Sequence, residues 1–388
     1  MHKVKICDYK QIRTHGISPG SIVNKSFLEK NMFWSEIRQE VLENVDQELI
    51  SLSVRRQSYM KELAIIILDW NGAEDTIECL KTLNNHSLYD IYLLDNGSKE
   101  DNNKKISDFL TVPYYEGVTA ETTLESFEIG EKEITYIHSE TNLGFAVGNN
   151  AIAKKICNSY KYILLLNNDT EVPSGTIESM LKTARDKKTV ALTCDIRIYY
   201  RKNELWNAGG YFTILGERKY YSQKKIDSLK NQGVKYIDAP FITGCALLVD
   251  AEQIRKHGLF TDKFFHGEED FNFCYKLAQK KKRVGVDLSV ALYHKVGKSI
   301  KRSSGTQNYN SMVVNFSNRV IDFKEFYNPL RWGIWRIIYL SLLFCRRSMT
   351  GMKPKMAFEL CRRIHRISDK YNDVRKTIFD EIMAMEWK

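Results

Sequence analysis

Tyr162-Ile163-Leu164-Leu165-Leu166-Asn167-Asn168-Asp169 runs an apolar, strand-forming stretch straight into three polar residues. The pattern is that of a buried β-strand whose end delivers a carboxylate. In an open α/β sheet, ligands gather beyond the carboxyl ends of the strands, so Asp169 stands where a hard cation or a phosphate-bearing ligand would be met. Taken alone, the octapeptide is equally a strand closed by an Asn/Asp turn. The flanking sequence decides between the two.

Upstream, Leu63-Ala64-Ile65-Ile66-Ile67-Leu68 is another continuous apolar run, broken by Asp69-Trp70-Asn71-Gly72 and followed by a helix opening at Asp75. Ile91-Tyr92-Leu93-Leu94 with Asp95-Asn96-Gly97-Ser98 repeats that order of strand and polar loop. Residues 134–137 make a third strand, and Asn142-Leu143-Gly144-Phe145 opens a helix that contains Asn149 and runs through Ile156. Strands alternating with helices make parallel βαβ units, whose right-handed crossovers bring the polar loops to one edge of the sheet. Asp69, Asp95 and Asp169 are therefore expected to converge.

Downstream, Pro173 reads as the first-turn proline of a helix carrying Ile177, Met180 and Leu181, and residues 190–194 as a strand. From 195 to 236 the pattern loosens into a long loop, of the kind that is usually functional. Residues 241–249 regain strand character, with Gly244 in the middle marking a bulge or a close approach of ligand. Glu268-Glu269-Asp270 places three carboxylates at a helix N-terminus, where the dipole favours their ionised form and an aspartate can accept a proton. A merely capped and charge-matched helix has the same appearance. Residues 284–287 and 290–293 read as two short strands ending at His294.

The chain has 388 residues, 43% hydrophobic and 27% charged, which fits a folded protein and excludes a disordered one. Eight cysteines are scattered singly, with no C-x-x-C, so neither a zinc ribbon nor a disulfide framework is indicated. The N-terminus lacks the basic-then-apolar pattern of a signal peptide, and the greasy stretch 332–345 is interrupted by Arg336 and shorter than the ~20 residues of a membrane span. A cytoplasmic location is expected. Of the net charge of +10, a surplus of nine lies in residues 301–388, with 17 Lys/Arg against 8 Asp/Glu. A local excess of this kind attracts an anionic surface, phospholipid or nucleic acid. The mixture of Trp, Tyr, aliphatics and Arg in 331–347 suits a helix lying in a membrane interface, at the inner face of the cytoplasmic membrane, and equally a helix packed on the protein itself. At the other end, Phe33, Ile37, Val41, Val45 and Leu49 recur every four residues, a helical stripe that needs a partner and leaves a homodimer open.

The ordered set Leu68-Asp69-Trp70-Asn71-Gly72, Asp95-Asn96-Gly97-Ser98, Asn142-Leu143-Gly144-Phe145 with Asn149, Asn167-Asn168-Asp169, Gly244, Glu269-Asp270 and His294 resembles glycosyltransferase family 2. It looks most like the branch that adds rhamnose or related sugars in bacterial surface-polysaccharide assembly. The resemblance implies a GT-A fold, with a Rossmann-like, mostly parallel sheet over residues 62–300, a helical extension over 1–61 and a basic helical region over 301–388. It further implies inverting transfer from a UDP- or dTDP-sugar, dTDP-rhamnose among them, to a glycan or lipid-linked glycan. Leu68, Asp69, Asn71, Asp95, Asn96, Gly144, Asn149, Asn168 and Gly244 would line the nucleotide-sugar site. Asp169 and His294 would hold Mg2+ or Mn2+, Asp270 would be the general base, and Glu269 would orient it or the acceptor. The family's D-x-D appears here as Asn167-Asn168-Asp169, with only the last carboxylate kept. Two rivals are a sugar-nucleotide pyrophosphorylase, whose glycine-rich loop with Arg is replaced here by Asp69-Trp70-Asn71-Gly72, and a non-enzymatic nucleic-acid or membrane binder using the basic tail. The transferase reading assigns no nucleic-acid partner.

Overall fold

Leu63, Ile65 and Ile67 are buried on one face of a strand and Ala64 and Ile66 on the other, as the two-residue period of β structure requires when both faces are covered. The computed structural model describes residues 60–83, 89–110, 134–296 and 305–387, with only the backbone of 305–308. The N-terminal stripe from Phe33 to Leu49 lies outside the described residues.

The first half follows the expected alternation: β1 (Lys61–Asp69), α1 (Ala73–Leu83), β2 (Asp90–Asn96), α2 (Glu100–Leu110), β3 (Ile134–Ser139), α3 (Gly144–Ile156) and β4 (Tyr160–Asn167). Then come β5 (Thr170–Glu171), α4 (Thr176–Lys187), β6 (Ala191–Ile198), β7 (Arg201–Asn207), β8 (Gly210–Phe212), β9 (Arg218–Tyr220), α5 (Gln223–Asn231) and β10 (Tyr236–Asp238). The sheet domain closes with β11 (Ala246–Asp250), α6 (Ala251–His257), α7 (Glu269–Gln279) and β12 (Val284–His294). Four further helices follow: α8 (Gly305–Phe326), α9 (Pro329–Met349), α10 (Pro354–Lys370) and α11 (Lys376–Met383).

The main sheet has ten strands, with the path β10-β12-β6-β11-β4-β1-β2-β3 and with β5 and β7 attached to β12 and β6. β3, β2, β1 and β4 pair in parallel, as do β6 and β12, while β11 runs antiparallel between β4 and β6. The strands that precede the polar loops therefore all end on one edge. One face of the sheet packs on α1 and α4, the other on α3, α6 and α7.

Four local readings are corrected. Residues 195–236 are not a loop: they hold β7, the β8–β9 hairpin, α5 and the approach to β10. Most of β7 is exposed, so it carries too few apolar residues to show a period. Pro173 precedes the helix instead of sitting in its first turn, because Gly175 in the left-handed region (φ 81°) is the cap. Gly244 lies in a turn ahead of β11, not inside a strand. The two short strands 284–287 and 290–293 are one strand whose register shifts between Asp287 and Ala291. There the buried Asp287 accepts hydrogen bonds from Ser179 and Thr183 of α4, a polar anchor that breaks the apolar pattern.

The C-terminal helices share the core of the sheet domain. Val313, Val320 and Phe323 of α8 and Trp335 of α9 are buried in the same cluster as Ile66 and Phe271. Trp335 stacks on Phe323 with centroids 4.4 Å apart and donates its indole N–H to the Leu215 carbonyl at 3.0 Å. Lys61–Lys388 accordingly make one compact unit. No described helix is long and apolar enough to cross a membrane.

Candidate active site

Asp69 ends β1 fully enclosed, and its carboxylate gathers four segments. It accepts from the Thr76 hydroxyl (2.7 Å) and the Gly72 N–H (3.1 Å) of its own loop and helix, the Asn102 amide of α2 (2.5 Å) and the Asn168 amide after β4 (3.1 Å). Burial raises its pKa above the usual carboxylate range, and these donors offset part of that. Asp69 is thus the brace that ties these segments together. Asn168 also donates to Thr76 (2.9 Å), and a Cβ on Gly72 would come within 2.8 Å of the Asn168 amide nitrogen and displace that side chain. Asn71, exposed and at φ 55°, accepts from the Lys99 N–H at 3.0 Å and ties the loop after β1 to that after β2.

Asp95, also fully enclosed, accepts from the Ser98 N–H (2.8 Å) and pairs with His138 of β3. Asn96 accepts from the Leu143 N–H (2.8 Å) and so fixes the turn into α3. Gly144 in that turn has φ +78°, and a Cβ there would lie 2.5 Å from the Phe265 carbonyl oxygen. Leu68 packs against Gly148 of α3, and Asn149 donates to the Phe145 carbonyl (2.9 Å) within its own helix.

The register of β5 against β12 sets His294 opposite Thr170, next to Asp169. His294 Nε2 lies 2.9 Å from Asp169 Oδ1, and the Lys295 N–H donates to the Asp169 carbonyl at 2.9 Å. The His294 ring packs edge-on to Trp206 at 4.4 Å, and its Nδ1 is buried without a hydrogen-bond partner. One carboxylate oxygen facing one imidazole nitrogen fits a divalent cation that takes its other ligands from a diphosphate and water. Among the described residues no group of three or more His, Cys, Asp or Glu could hold a metal ion.

Asp270 sits in the first turn of α7. Arg218 of β9 donates to its Oδ1 at 3.1 Å. Glu268, in the left-handed region at φ 76°, forms a buried ion pair with Arg319 of α8, whose guanidinium also covers the Phe271 ring at 3.5 Å. Glu269 keeps some exposure overall, yet its Oε2 is enclosed and unpaired. Burial first, then the neighbouring Asp270 charge, push its pKa up to about 8.

The two acidic centres meet at one turn. The Asn167 N–H donates to the Cys245 carbonyl (2.8 Å), and burial together with the Asp169 charge raises the Cys245 thiol. One residue earlier, a Cβ on Gly244 would stand 3.9 Å from Asp270 Cβ and 3.2 Å from the Phe145 ring. Asp169 and Asp270 thus flank the Gly244-Cys245 turn at the carboxyl edge of the sheet.

A model of glycosyl transferase family 2 matches residues 64–258. The chain belongs to glycosyltransferase family 2. Among solved structures, the transferase is similar to GalNAc-T7 in complex with UDP, GalNAc and Mn2+, at 14% identity and a TM-score of 0.54 over 83% of this chain. It spans 56% of that protein's chain. A second similar structure is the mannosyltransferase PcManGT from Pyrobaculum calidifontis with GDP-Man and Mn2+, at 12% identity and TM-score 0.44 over 84% of this chain and 86% of that one. A third is TarS of S. aureus, at 12% identity and TM-score 0.39 over 65% and 63%. At 14% identity the likeness to GalNAc-T7 concerns the fold, which is GT-A. No curated protein sequence matches the chain.

The family match ends at residue 258, ahead of both Asp270 and His294, so the placing of those two rests on geometry. No sequence pattern singles out Arg218 or Arg319. Arg218 lies in the stretch whose pattern reads as a loop, although Gly209-Gly210 and Gly216 around short aromatic runs are the signal of a hairpin. Arg319 carries no local signal at all: its partner is 51 residues away.

Proposed function

We propose that this transferase is an inverting, metal-dependent enzyme. It moves a sugar from a UDP- or dTDP-linked donor, dTDP-rhamnose among them, to a hydroxyl of a glycan or lipid-linked glycan in bacterial polysaccharide synthesis. The observation that supports this reading is that Asp169, beside His294, and Asp270 both neighbour the Gly244-Cys245 turn.

The loops after β1 and β2, with Asn71, Asp95 and Asn96, receive base and ribose, while Asp69 holds those loops and Asn168 together. Asp169 and His294 hold Mg2+ or Mn2+, which, when bound, neutralises charge growing on the leaving diphosphate. Asp270 takes the proton of the acceptor hydroxyl as that oxygen attacks C1 of the sugar, opposite the bond to the nucleotide, which breaks. A single displacement inverts the anomeric centre. Arg218 engages one Asp270 oxygen and leaves the other for the acceptor proton. Glu269, kept protonated by burial, orients acceptor or base and is not the base itself.

The test is calorimetric titration of a panel of nucleotide sugars with and without Mn2+, on the natural chain and on Asp169→Ala. Binding that needs Mn2+ and is lost in the variant is expected. Asp270→Asn should keep that binding and lose about 10²- to 10⁴-fold in turnover. A chain that binds no nucleotide sugar under any condition, or an Asp270→Asn variant of full activity, would refute the assignment.

A further inference from the structure

The two faces of α9 have different fates. Trp335, Tyr339, Leu340 and Leu343 are buried against the rest of the unit. Leu330, Ile334, Ile337, Ile338, Leu342 and Met349 are exposed, Met349 to 87% and Ile337 to 65%. Their spacing of 4, 7, 8, 12 and 19 residues from Leu330 keeps them on one stripe of the helix. Over 21 residues that stripe is about 30 Å long. A contiguous apolar surface of this size marks an interaction site.

Charge identifies the occupant. Residues 329–355 contain six Lys or Arg and no Asp or Glu. Arg331, Lys353 and Lys355 are exposed, and Arg346, reaching toward Glu217 at 3.6 Å, is 68% exposed. A second copy docked through this face by two-fold symmetry would set each cationic segment against itself. An anionic lipid surface meets both the stripe and the cations, and because no described helix can cross a bilayer, α9 would lie along it. We infer that the exposed face of α9 and the following turn form a docking surface for anionic phospholipid. This refines the stretch 331–347 from a whole helix to one of its faces and does not depend on the donor proposed above.

The test is flotation of the full chain with vesicles of phosphatidylcholine alone and with about 30% phosphatidylglycerol added. The chain should float with the anionic vesicles and at least about tenfold less with the neutral ones, or with anionic vesicles in about 1 M salt, where charges are screened beyond ~3 Å. Ile334→Glu with Ile337→Glu should lower the bound fraction about tenfold at an unchanged melting temperature, both residues being exposed. Lys353→Glu with Lys355→Glu, outside the apolar stripe, should abolish only the preference for anionic vesicles. No flotation of the natural chain, flotation indifferent to lipid charge, or undiminished flotation of the isoleucine variant overturns the inference. So does a dimer in light scattering that the isoleucine substitutions dissociate, since the face would then serve a second copy.

Discussion

Three adjacent carboxylates at the start of α7 differ because each has a different neighbour. Glu268 meets Arg319, Asp270 meets Arg218, and Glu269 has one enclosed oxygen with no partner. Burial, and after it the Asp270 charge, hold Glu269 in its neutral form, with a pKa pushed from the ordinary 4.5 to about 8. Between those values the folded chain keeps a proton that the unfolded chain has released, so this group's contribution to stability is present below 4.5 and is lost as pH rises through about 8. Glu269→Gln removes the loss. Its denaturation midpoint should change less than that of the natural chain between pH 5 and 8, and it should be the more stable of the two at pH 8. Asp69 and Asp322, whose pKa values burial also raises, are common to both proteins and cancel in the comparison. Parallel pH profiles would contradict the assignment.

At the scale of elements, the cleft is built from turns that approach each other too closely for side chains. Gly97 at φ +74° would bring a Cβ within 2.5 Å of the Thr141 backbone, and Gly144 within 2.5 Å of the Phe265 carbonyl. These contacts fix the loops after β2 and β3 against each other and against the approach to α7. Gly144→Ala combines that clash with the left-handed strain of about 1–2 kcal/mol, so urea denaturation should register at least that loss. An unchanged midpoint would mean that the turn relaxes freely. The register of β5 on β12 acts in the same way for Asp169 and His294: a slip of one residue turns the His294 side chain to the opposite face of the sheet.

At the scale of the molecule, the C-terminal helices belong to the catalytic unit and are not an appended tail. Asn318 donates to the His266 carbonyl (3.0 Å), Arg319 neutralises Glu268, and Asp322 accepts from Asn272 (2.6 Å), so α8 holds the turn that carries Asp270. A chain ending at residue 300 takes Arg319 away from Glu268 and uncovers Phe271 and the rest of that core. It should show no cooperative melting transition in calorimetry. A sharp transition close to that of the full chain would show that the sheet domain stands alone.

The alternating strands and helices of the first half are legible in the residues, and with them the edge at which Asp69, Asp95 and Asp169 gather. Buried parallel strands are continuous apolar runs, and their ends are marked by polar residues that any reading of the chain can see. Only the folded chain sets that Asp69 spends its carboxylate on bracing the loops, that Arg218 meets Asp270, and that α9 buries one face while baring the other. Those outcomes depend on partners tens to hundreds of residues away, as with Lys295 and Asp75, 220 positions apart, and no local pattern encodes a pairing at that range.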